Sequence, residues 1–206
     1  MAATTTPTRD PRRPIRAIPT MYGGQRFRSR LEARWAAFFD LCEWKWTYEP
    51  DDLDGYIPDF KLWFRVPVLV EVKPVQWDES ESDEDMLAAA RTKIIHSGIR
   101  GESILLGSRI VTVDDRDNEL HLQRLGAIMS IDPETDEVTP WNPLVGFRCG
   151  GKDERSPGCG RRSFCDDTLS WHCRVRGCWS GQHHLGQWNA EQDFRLAANE
   201  VQWSPR

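Results

Sequence analysis

Long apolar runs are absent from this chain. No stretch approaches the roughly 20 residues that span a bilayer, so a helical membrane protein is excluded as the expectation. The first twenty residues are punctuated by Pro7, Pro11, Pro14 and Pro19 and carry no apolar core of the kind a secretory signal needs. A cytoplasmic, reducing location is therefore expected. No Walker-type phosphate loop is found, which argues against nucleotide-driven chemistry, and no internal repeat suggests a solenoid. A uniformly basic surface is lacking too: the net charge is −5.

What is present describes a folded protein. A hydrophobic fraction of 39% beside 29% charged residues suits one ordinary domain plus a small appendage. The charge is unevenly spread. Arginines crowd the first segment, including Arg28 and Arg30, and return near the cysteines as Arg161, Arg162 and Arg174. These are the candidate contacts to nucleic-acid phosphates. Much of the acid lies in residues 78–85, read as a solvated loop.

Periodicity gives the elements. Residues 1–20 read as a disordered basic arm. Leu31, Trp35, Phe38 and Phe39 form one apolar stripe, so a helix is expected over Arg30–Leu41, started by the capping-box spacing Ser29-x-x-Glu32. Trp44, Trp46 and Tyr48 alternate as a strand. Tyr56–Phe64 and Val68–Val72 read as two more, joined through Arg65-Val66-Pro67. A helix over Met86–Ser97 and a strand over Glu102–Leu106 follow. Ile110–Val113 and Leu120–Leu125 are expected as an extra hairpin around Asp117-Asn118. The pattern then turns Pro-, Gly- and Cys-rich, which divides the chain into a domain over 21–132, a cysteine segment over 133–186 and a terminal helix over 187–206. The fold class is α/β: helix, three-stranded meander, helix, strand, then a small metal-binding module and a last helix.

Three short pieces carry chemistry: Glu32 in Ser-Arg-Leu-Glu32-Ala-Arg-Trp, Pro58-Asp59, and Glu71-Val72-Lys73. On a strand, Glu71 and Lys73 share a face and Val72 takes the other. Asp59 joins them if the hairpin register is an odd-length turn centred on Arg65, which sets Asp59 directly across from Glu71. Carboxylates that close repel unless a cation lies between them. Spacing alone shows only a clustered acid–lysine group.

In order and local setting the pieces resemble the PD-(D/E)xK nuclease superfamily, the restriction-endonuclease-like fold, over about half the chain from Tyr22 to Ser108. That resemblance implies a hydrolase cutting DNA phosphodiester bonds with Mg2+ or Mn2+. Asp59 and Glu71 would hold the metal, Glu32 would reach it directly or through water, and Lys73 would serve the attacking water. Small endonucleases of phage and mobile elements fit this description, with transposon-end endonucleases and junction resolvases as close competitors. DNA is the implied partner, with a protein partner in a DNA-processing complex as a further one. A nonenzymatic zinc-containing DNA-binding or regulatory protein on the same fold is the rival from another class.

Five of the six cysteines crowd one segment, which in a reducing compartment favours metal over disulfides. Cys149, Cys159, Cys173 and Cys178 are the preferred set for structural Zn2+, with Cys165, His172, His183 or His184 able to replace one member. The segment resembles a zinc ribbon, although neither pair has the usual two-residue spacing. Trp171 and Trp179 are candidates for stacking on bases.

Overall fold

A computed structural model describes residues 17–78, 80–115, 120–153, 156–166, 173–178, 185–186 and 188–201. The expected arm lies almost wholly outside them. Its last residue instead opens a hairpin that the sequence reading missed, β1 (Thr20–Tyr22) against β2 (Gln25–Phe27). Gly23 and Gly24 turn it at φ of +55° and +79°, a conformation that favours glycine.

Helix α1 (Arg30–Leu41) has the expected bounds. Ser29 Oγ accepts the Glu32 N–H, and the helix buries Trp35, Phe38 and Phe39. Strands β3 (Trp46–Tyr48), β4 (Phe60–Leu62) and β5 (Val68–Val72) form the antiparallel meander. Strand β4 is shorter than expected because Asp54 and Gly55 turn the chain at positive φ, and Leu53 bridges Tyr56.

Helix α2 (Glu81–His96) carries the chain to β6 (Gly101–Asp115), which runs parallel to β5. The acidic run is therefore corrected from loop to helix start. Ser80 caps it, and buried Asp83 accepts the N–H groups of Gln76 and Trp77 at 3.0 and 2.7 Å. Acidic side chains favour that position because the positive end of the helix dipole lies there. Gln76 is tied by its side chain to Ser108, away from the acidic constellation.

Strand β6 also absorbs Ile110–Val113, with a register shift between Leu106 and Val111, and pairs with β7 (Leu120–Ile131). The expected hairpin exists but is far longer. Strand β8 (Asn142–Cys149) joins β7, and β11 (Arg162–Asp166) joins β8. The short β9 (Gly151–Asp153) and β10 (Ser156–Pro157) form a separate pair, and β12 (Leu185–Gly186) meets β8. One mixed sheet thus runs β11-β8-β7-β6-β5-β4-β3. The expected division at 132/133 falls between two strands of that sheet, because β8 pairs with β7.

The terminal helix α3 (Ala190–Glu200), capped by Asn189, packs on α1. Trp35 meets Phe194 at 4.4 Å between ring centroids, while Phe38 stacks on Trp188 and Phe39 on Trp44. Each buried Phe of this kind contributes about 1.5–3 kcal/mol. The indole N–H groups are satisfied as well: Trp35 donates to Gly107 O and Trp44 to Arg162 O. Packed this way, α1 is held rigidly against the sheet with its N-terminus beside β4 and β5. Among the described residues no helix is long and apolar enough to cross a membrane.

Candidate functional site

The β4–β5 ladder pairs Phe60 with Val70, Lys61 with Leu69 and Leu62 with Val68. Each pair is centred on Arg65. One further step of that register sets Asp59 opposite Glu71, and Asp59 Oδ2 accepts the Val72 N–H at 2.7 Å. Lys73 reaches back along its own face, Nζ lying 2.5 Å from Glu71 Oε1. The Tyr56 hydroxyl donates to Glu71 Oε2 at 3.0 Å.

Glu32 closes the constellation from α1. Its carboxylate receives Ser29 Oγ at 2.9 Å, the Tyr48 hydroxyl at 2.6 Å and the Arg28 N–H at 3.1 Å. It is therefore both a capping partner and a wall of the site. Glu32, Asp59 and Glu71 are only 7%, 4% and 4% exposed, so their charge has to be met by protein cations, protons or ions. Arg28 Nη2 meets Asp59 Oδ1 at 2.5 Å, and its Nε meets Glu49 at 2.9 Å.

Burial, then the neighbouring Glu71 charge, pushes the Asp59 carboxyl up from 3.8 to about 7, against the pull of the Val72 N–H and Lys73. The Arg28 guanidinium also favours the charged form. Tyr48 is pushed up to about 12 by burial and its bond to Glu32. Tyr56 is raised further by burial and Glu71. Both hydroxyls stay protonated as donors. Folded Asp59 thus holds a proton that the unfolded chain loses near 3.8, so its contribution to stability drains away as pH rises from there through about 7. Asp59→Asn is expected to melt above wild type at pH 8 in chelator, with the gap closing toward pH 4. Thermal melts across that range check this, and a gap independent of pH would contradict it.

Arg28, Glu32, Tyr56, Asp59, Glu71 and Lys73 line one cleft of about 670 Å³. Its far wall comes from the end of α2, where Thr92, Lys93, His96 and Ser97 lie. Sequence reading did not find these four residues, nor Tyr48 and Tyr56 as carboxylate partners. Lys93 and His96, one turn apart near the end of the helix joining two strands, were the available signal.

Of the expected phosphate contacts, Arg28 lines the cleft and Arg30 is exposed at the start of α1. The other three are engaged in ion pairs within the fold. Arg161 meets Glu43 at 3.2 Å, and Arg162 meets Asp193 at 2.9 Å while donating to Leu41 O. Arg174 meets Glu102 at 2.7 Å. Each holds two elements together, and none lines the cleft.

The cysteines form a second centre. Among the described residues, Cys149, Cys159, Cys173 and Cys178 are the group able to hold a metal ion, with sulfurs all within 4.8 Å of one another. Glu32, Asp59 and Glu71 are not drawn together so closely, since each is held by its own partners. Gly160 N donates to Cys149 O, and Gly177 N donates to Cys173 O. Both glycines have positive φ, which explains how irregular spacings still converge. A Cβ at Gly177 would lie 2.7 Å from Arg65 Nη1, so the cysteine turn rests on the β4–β5 turn.

Burial and neighbouring sulfur push the Cys159 thiol up to about 12, and Cys178 is raised for the same reasons. A divalent ion removes that penalty by binding thiolates. Cys165 is buried on β11 outside the group of four. His172, His183, His184, Trp171 and Trp179 lie outside the described residues. Comparison of the chain with protein-family models, curated proteins and solved structures gave no match.

Proposed function

We propose that the chain is a divalent-metal-dependent nuclease hydrolysing DNA phosphodiester bonds on a PD-(D/E)xK-type site, with Zn2+ as the structural ion of its four cysteines. The observation that carries this reading is the β4–β5 register, which sets Asp59 across from Glu71 with Lys73 on the face of Glu71. The donor chemistry fits Mg2+: hard, buried carboxylate oxygens, with one carboxyl pushed up by burial and then by the charge of the other. Asp59 and Glu71 would hold the ion, with Glu32 beside them.

Such an ion supplies Lewis acidity toward a phosphoryl oxygen and lowers the pKa of water. The side chains do the rest. Lys73 orients the attacking water and meets the charge that builds on the phosphate. Tyr56 fixes the Glu71 carboxylate through its hydroxyl, and Tyr48 with Ser29 fixes Glu32. The α2 wall offers Lys93 and His96 to the DNA backbone.

A second reading, a nonenzymatic zinc-containing DNA-binding or regulatory protein, draws on the ion pairs Arg28–Asp59 and Lys73–Glu71, which give two of the three carboxylates a cation without any metal. Supercoiled, linear, single-stranded and branched DNA incubated with Mg2+ or Mn2+ separates the two. Nicked or linear products that vanish in chelator and with Asp59→Ala are expected. Failure to cut any substrate would favour the binding protein, and cleavage by Asp59→Ala would refute the site.

A further inference from the structure

Arg28 sits where a metal ion would compete with it. The Asp59 carboxylate has one oxygen, Oδ2, fixed by the Val72 N–H, so Oδ1 is the one left for a cation, and Arg28 Nη2 lies on it. The backbone of Arg28 is anchored: its N–H donates to Glu32 and lies 3.1 Å from the Tyr48 hydroxyl. Its side chain is not anchored in the same way, being 57% exposed at the mouth of the cleft. A fixed Cα with an exposed guanidinium describes a group able to turn without disturbing the fold.

We propose that Arg28 is an exchange residue, holding Asp59 Oδ1 until a divalent ion takes that oxygen and then turning outward to a DNA phosphate. This rests on the nuclease reading above and adds to it an order of events. An ion on Oδ1 competes with the guanidinium for the same oxygen and repels its charge, so ion binding weakens the Arg28–Asp59 bond and favours release of the side chain. The freed fork then keeps only Glu49, itself a rim group, and a phosphate matches its two N–H donors better than any other group a DNA substrate brings. Asp59 thereby keeps a cation partner when no ion is bound, and the cation that replaces Arg28 releases a phosphate-binding arm at the moment substrate is needed.

The idea predicts effects of opposite sign, which a merely structural role would not produce. In Arg28→Ala the competing bond is gone, so Ca2+ should bind roughly fivefold tighter or more, the worth of a charge-assisted hydrogen bond no longer broken. A fluorescein-labelled duplex should bind several-fold weaker, and its log–log salt slope should fall by about 0.9, the share of one phosphate contact. Arg28→Lys keeps the charge without the fork and should lie between wild type and alanine in both readouts.

Isothermal titration of the zinc-loaded chain with Ca2+, beside Asp59→Ala as the blank, reads the first effect; anisotropy at several salt concentrations reads the second. Ca2+ serves as the hard probe because it prefers carboxylate oxygens to the cysteine sulfurs. Tighter Ca2+ binding cannot come from misfolding, so that outcome supports the exchange outright. Unchanged or weaker Ca2+ binding in Arg28→Ala, with wild-type binding lost in Asp59→Ala, would overturn the exchange and leave the nuclease site standing. No Ca2+ binding by wild type would overturn both.

Discussion

Lys73→Ala is expected to lower DNA cleavage by about a hundred- to a thousandfold, the usual loss when one preorganised donor to developing charge is removed. The fold should survive. The Lys73 N–H donates to Leu106 O through the backbone, which alanine keeps, and the side chain is 30% exposed. Glu71 retains the Tyr56 hydroxyl. Ca2+ affinity should therefore hold or improve, since a competing ammonium has gone. The loss should fall on kcat with KM changed little, the pattern of an interaction made in the transition state. Lys73→Arg should not restore the rate, because a planar fork does not replace a compact ammonium beside water. Single-turnover cleavage of a labelled duplex at saturating Mg2+ measures it. A variant that cuts within tenfold of wild type would remove Lys73 from the chemistry.

Cys173→Ser carries the largest effect on stability. Cys173 is buried, and Cys173 and Cys178 come from one short turn that Arg174 ties to the sheet through Glu102 and the Ser163 Oγ. A metal ion on the four sulfurs would add bonds that hold that turn to the sheet. Zinc should drop from about one per chain to near none, and the melting temperature should fall by about 10 °C or more, as a loss of several kcal/mol implies in a chain of this length. Cys42→Ser is the control. Cys42 is buried and is not one of the group of four, so its replacement should leave zinc content unchanged. Wild type without zinc, or Cys173→Ser with full zinc, would refute the centre.

Local chemistry made much of this legible. Ser29 and Glu32 mark the start of α1 because a cap is written in four consecutive residues, and its apolar stripe recurs every turn. The β4–β5 register was legible only as a condition, since the sequence left open whether the five residues between Leu62 and Val68 centre the turn on Arg65. The four cysteines were readable as a set because thiols crowded into one segment and flanked by glycines point to a shared metal. The acidic run was misread because charge was weighed and the capping pair Ser80 and Asp83 was not. Strand β6 was split in two because its register shift near Gly107 breaks the alternation that strand reading depends on. The partners of the carboxylates were out of reach for another reason. Arg28, Tyr48 and Tyr56 meet them only after distant elements pack, and no local period encodes that. The same holds for the internal ion pairs of Arg161, Arg162 and Arg174, which sequence could count as charge but not place.

The contact between Arg65 and Gly177 makes the β4–β5 hairpin a lever with chemistry at both ends. Its open end presents Asp59 and Glu71, and its closed end leans on the thiolate turn. A bulkier residue at Gly177 would press on Arg65 and be felt by carboxylates it never touches. The cysteine cluster and the acidic cleft thus meet the two ends of one hairpin.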